Sequence, residues 1–305
     1  MKTWPNFFIV GAARAGTSSL DRYLSQHPVI YIAPRKDTHF FAAESFPCRF
    51  NGPGDERLSR LLIRDEDQYN KLFAEAPESM VVGESSAFYL HMPGTAERIV
   101  QTVPDAKIII ILREPLDRAY SAYTLMVRDG RETLEFEEGL RREEERKQKG
   151  FEPIWWYKEL SLYYAQVKHF QEVFGTQQVK VLLYDELFTN LERALRDIFI
   201  FLGVKEDVII DTSVRYNVSG VPKSRRFYNV LDNFIYNPNN LQQRIKSLVP
   251  AHMRTAWASK LIGMSVKRVS LQPQQQTAFK AYFTEDVRKL ENLVDRDLSN
   301  WGYSE

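Results

Sequence analysis

The chain contains 305 residues, of which 44% are hydrophobic and 13% aromatic, enough for the core of one large α/β domain or of two smaller ones. Its formal net charge of +1 gives no whole-molecule attraction to nucleic acid, so we expect no nucleic-acid partner. The single cysteine, Cys48, excludes an internal disulfide and a cysteine-rich metal site, which favours a reducing compartment.

The first residues carry one lysine and then enter an apolar run at Phe7, without the apolar core and cleavage site of a signal peptide. No apolar stretch further along reaches the length of a membrane span. We therefore predict a cytoplasmic protein that does not span a membrane.

Residues 7–20 predict a strand, a loop of small residues and a helix, in that order. The N–H groups at the start of such a helix form an anion site, strengthened by the positive end of the helix dipole. Gly11 and Gly16 have the spacing of the first six positions of a phosphate loop, G-x-x-x-x-G. Thr17, however, stands where that motif requires lysine, and the only cation in the loop is Arg14.

A loop without that lysine is poorly suited to an ordinary ATPase or GTPase, which needs it on the β- and γ-phosphates. The loop suits a donor that places one phosphate at the helix and needs a cation on its leaving group. A glycine-containing turn that binds nothing is the alternative.

Five polar or ionisable residues precede two phenylalanines just after the second predicted strand, in the segment 35–41. Asp37 and His39 would bring a carboxylate and an imidazole beside the phosphate site, because loops at the carboxyl ends of parallel strands line the ligand crevice. A solvated loop anchored by its phenylalanines is the alternative, and spacing alone favours that alternative.

Residues 106–112 include four successive isoleucines and predict a central strand covered on both faces. Arg113 stands at the carboxyl end of this strand, and Pro115 can open a helix that places Ser121 two turns further on. An arginine and a serine presented in this way are suited to holding a second phosphate. Pairing of Arg113 with an acidic residue of the helix start is the alternative.

The next part of the chain predicts scaffold. Residues 131–149 mix glutamate, arginine and lysine, a pattern typical of a solvated helix face. Residues 151–157 contain four aromatics, which either line an acceptor groove or pack a corner of the core, and packing is favoured.

Four segments together resemble the sulfotransferases that use 3′-phosphoadenosine 5′-phosphosulfate (PAPS), in the branch that includes the heparan sulfate sulfotransferases and the sulfotransferase domains of bacterial polyketide assembly lines. The order and spacing of the four carry this resemblance more than any single motif does. The segments are residues 10–20, 36–41, 83–86 and 112–121, and the resemblance continues through residues 163–174, 179–187, 198–204 and 217–225.

The resemblance implies an α/β fold like that of the P-loop-containing nucleotide hydrolases, with a parallel sheet flanked by helices on both faces. Residues 1–305 would form a single domain, with a PAPS-binding core over 5–228 and a helical C-terminal extension over 229–305. The implied reaction moves the sulfuryl group of PAPS to a hydroxyl, or less readily an amine, and releases adenosine 3′,5′-bisphosphate (PAP). The resemblance implies a reaction that requires no metal.

The resemblance also implies the residues that bind the donor. Arg14 stands where the family usually has lysine, which keeps the charge but changes its reach and hydrogen-bond geometry. By position, the residues that would bind the 5′-phosphate and sulfate are Arg14, Gly16, Thr17 and Ser18. Those that would bind the 3′-phosphate are Arg113 and Ser121. A loop that closes over the nucleotide would contain Lys223, Ser224 and Arg225.

Asp37 falls where the heparan-type enzymes carry a catalytic glutamate. The resemblance therefore implies that Asp37 takes the proton from the acceptor, while Arg14 neutralises the charge developing on the leaving phosphate. Aspartate is one methylene shorter than glutamate, so His39 is a second candidate for the base. Ser85 stands where several relatives have lysine, and the remaining acceptor-side candidates are Arg35, Lys36 and Glu84.

The acceptor is not specified by any motif, but residues 213–270 contain ten lysines and arginines against one aspartate. Such a surface would attract an anionic acceptor, for example an acidic carrier protein that bears an acyl chain, or an acidic glycan. Basic helix faces balanced by acidic neighbours elsewhere are an equal alternative. Two rival functions stay open, a magnesium-dependent small-molecule kinase and a nucleotide-binding protein without catalysis.

Overall fold

The computed structural model describes residues 3–78, 80–213, 220–222, 266–267 and 271–303. A five-stranded parallel sheet lies at its centre, and a short antiparallel pair lies apart from it. The five strands are β1 (Phe7–Gly11), β2 (Ile30–Ile32), β3 (Val81–Ser85), β4 (Lys107–Leu112) and β5 (Val179–Leu183), and the antiparallel pair is β6 (Val221–Pro222) with β7 (Val266–Lys267).

Helices flank the sheet, and none among the described residues is both long and apolar enough to cross a membrane. The helices before β5 are α1 (Thr17–Leu24), α2 (Glu56–Leu61), α3 (Glu66–Asn70), α4 (Thr95–Thr102), α5 (Pro115–Arg128), α6 (Phe136–Arg141), α7 (Glu143–Gln148) and α8 (Tyr164–Phe174). Those after β5 are α9 (Tyr184–Thr189), α10 (Leu191–Leu202), α11 (Pro273–Lys280) and α12 (Thr284–Val294).

The strand order is β2-β3-β1-β4-β5, and every neighbouring pair is parallel. The chain first builds the sheet on one side of β1, through β2 and β3, and then crosses to the other side at β4. In open α/β sheets, ligands bind outside the carboxyl ends of the strands at the point where this direction changes. The fold therefore places the binding crevice between the loops that follow β1 and β4.

The two central strands are apolar because both faces of the sheet are covered. Every residue of β1 is buried, and the isoleucine run 108–111 in β4 has no exposed surface. Phe7 pairs with Gly83 of β3, where a Cβ atom would come within 2.1 Å of the Phe7 ring, so only glycine fits there. The predicted fold class, a parallel sheet with helices on both faces, is confirmed.

The C-terminal residues 271–303 form α11, α12 and a final 3₁₀ turn over Ser299–Trp301. Phe279, Leu290 and Trp301 are buried, and α12 packs against α8. Because β7 also lies after residue 228, the part of the chain for which we predicted a helical extension contains a strand as well as helices.

Candidate active site

The loops after β1 and β4 meet at the crevice that the strand order defines. The Ala12 N–H donates a hydrogen bond to the Ile111 carbonyl at 2.8 Å, which joins the start of the first loop to the end of β4. Arg14 lies in the first loop with φ 72°, a left-handed conformation that few residues other than glycine adopt. Its Nε donates to the Ser121 Oγ at 3.2 Å, so two of the predicted donor-binding residues are in direct contact.

Gly16 ends the same loop and is followed at once by α1, which begins at Thr17. The φ of Gly16 is 95°, and a Cβ atom there would come within 2.7 Å of the Phe188 ring. The Tyr184 ring packs against Phe188 with 4.7 Å between centroids. Sequence reasoning missed this aromatic pair, although two aromatics four residues apart just after a predicted strand are a readable signal.

Arg113 leaves β4 at the opposite side of the crevice. One of its terminal nitrogens lies 3.3 Å from an Asp117 carboxylate oxygen, and its guanidinium lies 5.0 Å from the centroid of the Tyr184 ring. The ion pair with an acidic residue of the helix start is therefore real, but the Arg113 Nε is buried without a hydrogen-bond partner among the described residues. A buried donor of this kind is costly unless a ligand satisfies it.

Positive charge is concentrated around Arg14. Burial and, after it, the cations Arg128, Arg113 and Arg118 together lower the pKa of Arg14 to about 9. Arginine stays protonated at this pKa, so the cluster keeps its charge at neutral pH. Since like charges repel, a ligand with several negative charges would be favoured here, and the residues present fit a doubly phosphorylated nucleotide.

Asp37 lies in the loop after β2, with 39% of its side chain exposed. The Lys36 Nζ is 2.8 Å from one carboxylate oxygen, and the Ala87 N–H donates to the same oxygen at 3.1 Å. Burial alone would raise the pKa of Asp37, but the Lys36 ammonium, His39 and these hydrogen bonds together lower it. Asp37 is therefore an ionised carboxylate at neutral pH, and part of its side chain is exposed.

His39 is two residues away but differs in exposure. Its ring is almost fully buried and stacks on Phe88 with 5.1 Å between centroids. Burial lowers the pKa of His39 to about 4, so the imidazole is neutral, and its Nδ1 has no hydrogen-bond partner within the described parts of the chain. Both His39 and Asp37 have left-handed backbone conformations, with φ of 52° and 58°.

The buried Glu84 is hydrogen-bonded to Thr38, in the loop that carries Asp37 and His39. It is fully buried at the end of β3 and accepts hydrogen bonds from the Thr38 hydroxyl at 3.0 Å, the Tyr69 hydroxyl at 3.4 Å and the Ser86 hydroxyl. The Ser86 Oγ in turn accepts the His39 N–H at 3.0 Å. Burial raises the pKa of Glu84 to about 7, and the hydroxyls of Ser86, Tyr89 and Thr38 limit this rise.

The predicted residues Lys223, Ser224 and Arg225 lie outside the described residues, as does most of the basic stretch 213–270. The strand β6, which leads directly to Lys223, lies against α5, the helix that carries Ser121. Over the residues that are described, no three His, Cys, Asp or Glu side chains are grouped so that they could hold a metal ion.

Comparison with known proteins identifies relatives of this chain. Residues 5–207 match the model of the sulfotransferase family. A sulfotransferase of known structure from Alicyclobacillus acidocaldarius is 43% identical, with a TM-score of 0.79, and the alignment covers 98% of this chain and 99% of that one.

Two curated relatives match over shorter stretches. The membrane-associated sulfotransferase kil1 of Dictyostelium discoideum is 32% identical over 119 residues, which are 39% of this chain and 22% of that protein. The bifunctional heparan sulfate N-deacetylase/N-sulfotransferase 1 of Caenorhabditis briggsae is 26% identical over 125 residues, which are 39% of this chain and 12% of that protein. The chain thus spans less than a quarter of either relative, and the predicted similarity to sulfotransferases, heparan sulfate enzymes included, is confirmed.

Proposed function

This chain belongs to the sulfotransferase family, and on that premise we propose that it transfers the sulfuryl group of PAPS to a hydroxyl of an acceptor. The observation that carries the proposal is the contact of Arg14 with Ser121 near the buried Nε of Arg113, which has no hydrogen-bond partner in the part of the chain that the structure describes. These three side chains come from the loop after β1, the end of β4 and helix α5, at the crevice where the strand order predicts a ligand.

The donor would lie across this crevice. Its 5′-phosphosulfate would meet Arg14, Gly16 and the first residues of α1, Thr17 and Ser18, where the helix dipole favours an anion. Its 3′-phosphate would meet Arg113 and Ser121, and the closing residues 223–225 are proposed to complete the nucleotide site. Arginine suits both positions because its planar guanidinium can donate two hydrogen bonds to one phosphate.

Asp37 is proposed as the base. As the acceptor oxygen forms its bond to sulfur, the bond between sulfur and the bridging phosphate oxygen breaks, and the hydroxyl proton passes to the Asp37 carboxylate. Arg14 would stabilise the negative charge that develops on the released phosphate of PAP. The proton then leaves Asp37 for solvent, through the exposed part of its side chain.

His39 remains the second candidate for the base. Its burial and its stacking on Phe88 favour Asp37, because a base must come within hydrogen-bond reach of the acceptor. An amine acceptor is a weaker proposal than a hydroxyl. For the acceptor itself we propose an acidic glycan or a chain borne on an acidic carrier protein. A cytoplasmic site of action is also proposed, since the exposed Cys48 would stay reduced there.

Calorimetric titration with PAP, with and without magnesium, tests the donor site. We expect binding to the wild type that does not depend on magnesium. Replacement of Arg113 by alanine should weaken it about 10- to 100-fold, the range for lost hydrogen bonds to a charged group. Arg196→Ala, an exposed arginine of α10, is the matched control and should bind PAP like the wild type.

Two other results would decide against the proposal. Absence of PAP binding, together with magnesium-dependent turnover of ATP, would support the kinase alternative, against which Thr17 in the lysine position speaks. Tight PAP binding without release of PAP from PAPS, with water or any of a panel of hydroxyl compounds as acceptor, would indicate a nucleotide-binding protein without catalysis.

A further inference from the structure

The C-terminal segment 271–303 contacts the donor site at residues adjacent to those proposed to bind the 3′-phosphate. We propose that Tyr303 is a positioning residue, which holds the amino end of α5 so that Arg113 and Ser121 face the 3′-phosphate of the donor. This inference rests on the function proposed above. It assigns a role in donor binding to a part of the chain that lies beyond the residues matched by the family model, 5–207.

Glu114 caps the amino end of α5. Its carboxylate accepts hydrogen bonds from the N–H groups of Leu116, at 3.2 Å, and Asp117. Two of the unsatisfied N–H groups at the start of the helix are thus satisfied, which fixes the angle at which the chain enters the helix. Since Arg113 directly precedes Glu114, the geometry of this cap also sets the direction of the Arg113 side chain.

Tyr303 is part of this cap, although it lies 189 residues away in sequence. Its hydroxyl donates to the Glu114 carboxylate and also accepts the Leu116 N–H, at 3.3 Å. Burial and the Glu114 carboxylate raise the pKa of Tyr303 above its usual value, so the hydroxyl keeps its proton at any physiological pH. The Tyr303 hydroxyl is therefore hydrogen-bonded both to the Glu114 carboxylate and to the Leu116 N–H that this carboxylate caps.

Tyr303 is itself held by its own segment. The Lys280 Nζ lies 4.8 Å from the centroid of the Tyr303 ring and donates hydrogen bonds to the carbonyls of Trp301 and Gly302. Trp301 is buried in the core. The Tyr303 ring is therefore held against α11, as a residue that positions others must be.

A second contact from the same segment reaches the donor site through α12. The Asp286 carboxylate accepts the N–H of Tyr163 at 2.7 Å and that of Tyr164 at 3.2 Å. The Tyr163 ring is buried, and its hydroxyl lies beside the Arg113 backbone. This contact joins α12 to a tyrosine that neighbours Arg113.

A third contact is made by a residue just C-terminal to α12, and it reaches α9. Arg296 forms an ion pair with Glu186 of α9. Two residues before Glu186, the Tyr184 ring packs against the Arg113 guanidinium. Each of the three contacts thus involves a residue next to Arg113 or within two residues of one of its neighbours. Of the three, only the Tyr303 hydroxyl touches the helix cap, so it is the contact to remove.

The test measures PAP affinity of the full chain by calorimetry. We expect Tyr303→Phe, which keeps the ring over Lys280 and removes only the hydroxyl, to weaken PAP binding about tenfold. The matched control is Tyr282→Phe, which removes the hydroxyl of a half-exposed tyrosine of the same segment and should leave PAP affinity unchanged. Thermal unfolding of both variants, followed by circular dichroism, verifies that each is folded at the temperature of the titration.

A double-mutant cycle separates positioning from general stabilisation. If Tyr303 acts through Arg113, the Tyr303→Phe change should cost little further affinity in the Arg113→Ala background. Hydrogen exchange should show faster exchange at the amides of Leu116 and Asp117 in Tyr303→Phe, with no change at α1.

The results that would overturn this inference differ from the result that would overturn the proposed function. PAP binding by Tyr303→Phe as tight as by the wild type would overturn this inference alone. The same loss of affinity in the presence and absence of Arg113 would also overturn it, because the hydroxyl would then act independently of that arginine. Absence of PAP binding by the wild type would overturn the proposed function and this inference with it.

Discussion

The two sides of the proposed site arrange charge in opposite ways. On the proposed donor side, Arg14 and Arg113 lie among further arginines, and the crowding of like charges contributes to the lowered pKa of Arg14. On the proposed acceptor side, the carboxylate of Asp37 has its own ammonium, from Lys36, and that of Glu84 has three hydroxyls. The donor side thus holds charge that a ligand can neutralise, whereas the acceptor side is neutralised within the protein.

This difference indicates how each side is prepared for its task. A multiply anionic donor gains affinity where cations are held close together and partly buried, because each new hydrogen bond is assisted by charge. A base must keep its charge and position before any substrate arrives, which requires fixed internal partners. The predictions below test this division, beginning with the largest expected effect.

If Asp37 serves only the acceptor side, its removal should stop turnover and leave donor binding intact. We expect Asp37→Asn to lower the rate of PAP release from PAPS about 10²- to 10⁴-fold, the usual contribution of a general base. Asparagine tolerates the left-handed backbone that residue 37 adopts, so the loop should keep its shape. PAP affinity, measured by calorimetry, should not change.

The matched control for this change is Asp105→Asn, at an exposed aspartate before β4. Unchanged turnover in Asp37→Asn would mean that another group takes the proton, with His39 the next to replace. A loss of PAP affinity equal to the loss of rate would contradict the division between the two sides.

The raised pKa of the buried Glu84 predicts that the stability of the protein depends on pH near neutrality. Its folded pKa of about 7 lies above the ordinary value of 4.5, so the folded state binds the proton more tightly than the unfolded state does. That stabilisation is full below pH 4.5 and is lost as the pH rises through 7. The shift corresponds to a loss of about 3 kcal/mol in the free energy of unfolding.

Glu84→Gln imitates the protonated side chain and should remove this dependence. Urea unfolding between pH 5 and pH 8 should show the stability of Glu84→Gln gaining on that of the wild type as the pH rises. Glu56→Gln, at an exposed glutamate of α2, should follow the wild type throughout. A constant difference between Glu84→Gln and the wild type at every pH would show that Glu84 keeps an ordinary pKa.

The parts of the site that sequence reasoning could predict are those fixed by local pattern and sheet topology. The apolar runs of β1 and β4 placed Arg14 and Arg113 at neighbouring strand ends, and the proline at the start of α5 placed Ser121 two turns along. The packing role favoured for the aromatics of residues 151–157 is confirmed for Trp155, which is buried. Each of these conclusions needed only a short window of sequence.

What could not be predicted depends on contacts between distant residues. The charged stretch 131–149 was expected to be a solvated helix face, yet Arg146 and Glu132 form a buried ion pair there at 2.8 Å, and the Glu132 carboxylate also accepts the Tyr157 hydroxyl. Tyr303 on the cap of α5 is a contact of the same kind. Charge pattern alone cannot show which side chains of a charged helix find buried partners, because those partners lie elsewhere in the chain.

The smallest effect concerns what Arg14 contributes beyond its charge. Arg14→Lys keeps a cation beside the leaving phosphate but removes the Nε–H that bonds to Ser121, so we expect the rate of PAP release to fall less than about tenfold. Arg14→Gln removes the positive charge altogether and should lower the rate of PAP release about 10²- to 10³-fold. Equal losses in the two variants would mean that the contact with Ser121, and not the charge, carries the function of Arg14. In that case Ser121→Ala alone should reproduce the loss, and the donor side would depend on fixed internal geometry as much as the acceptor side does.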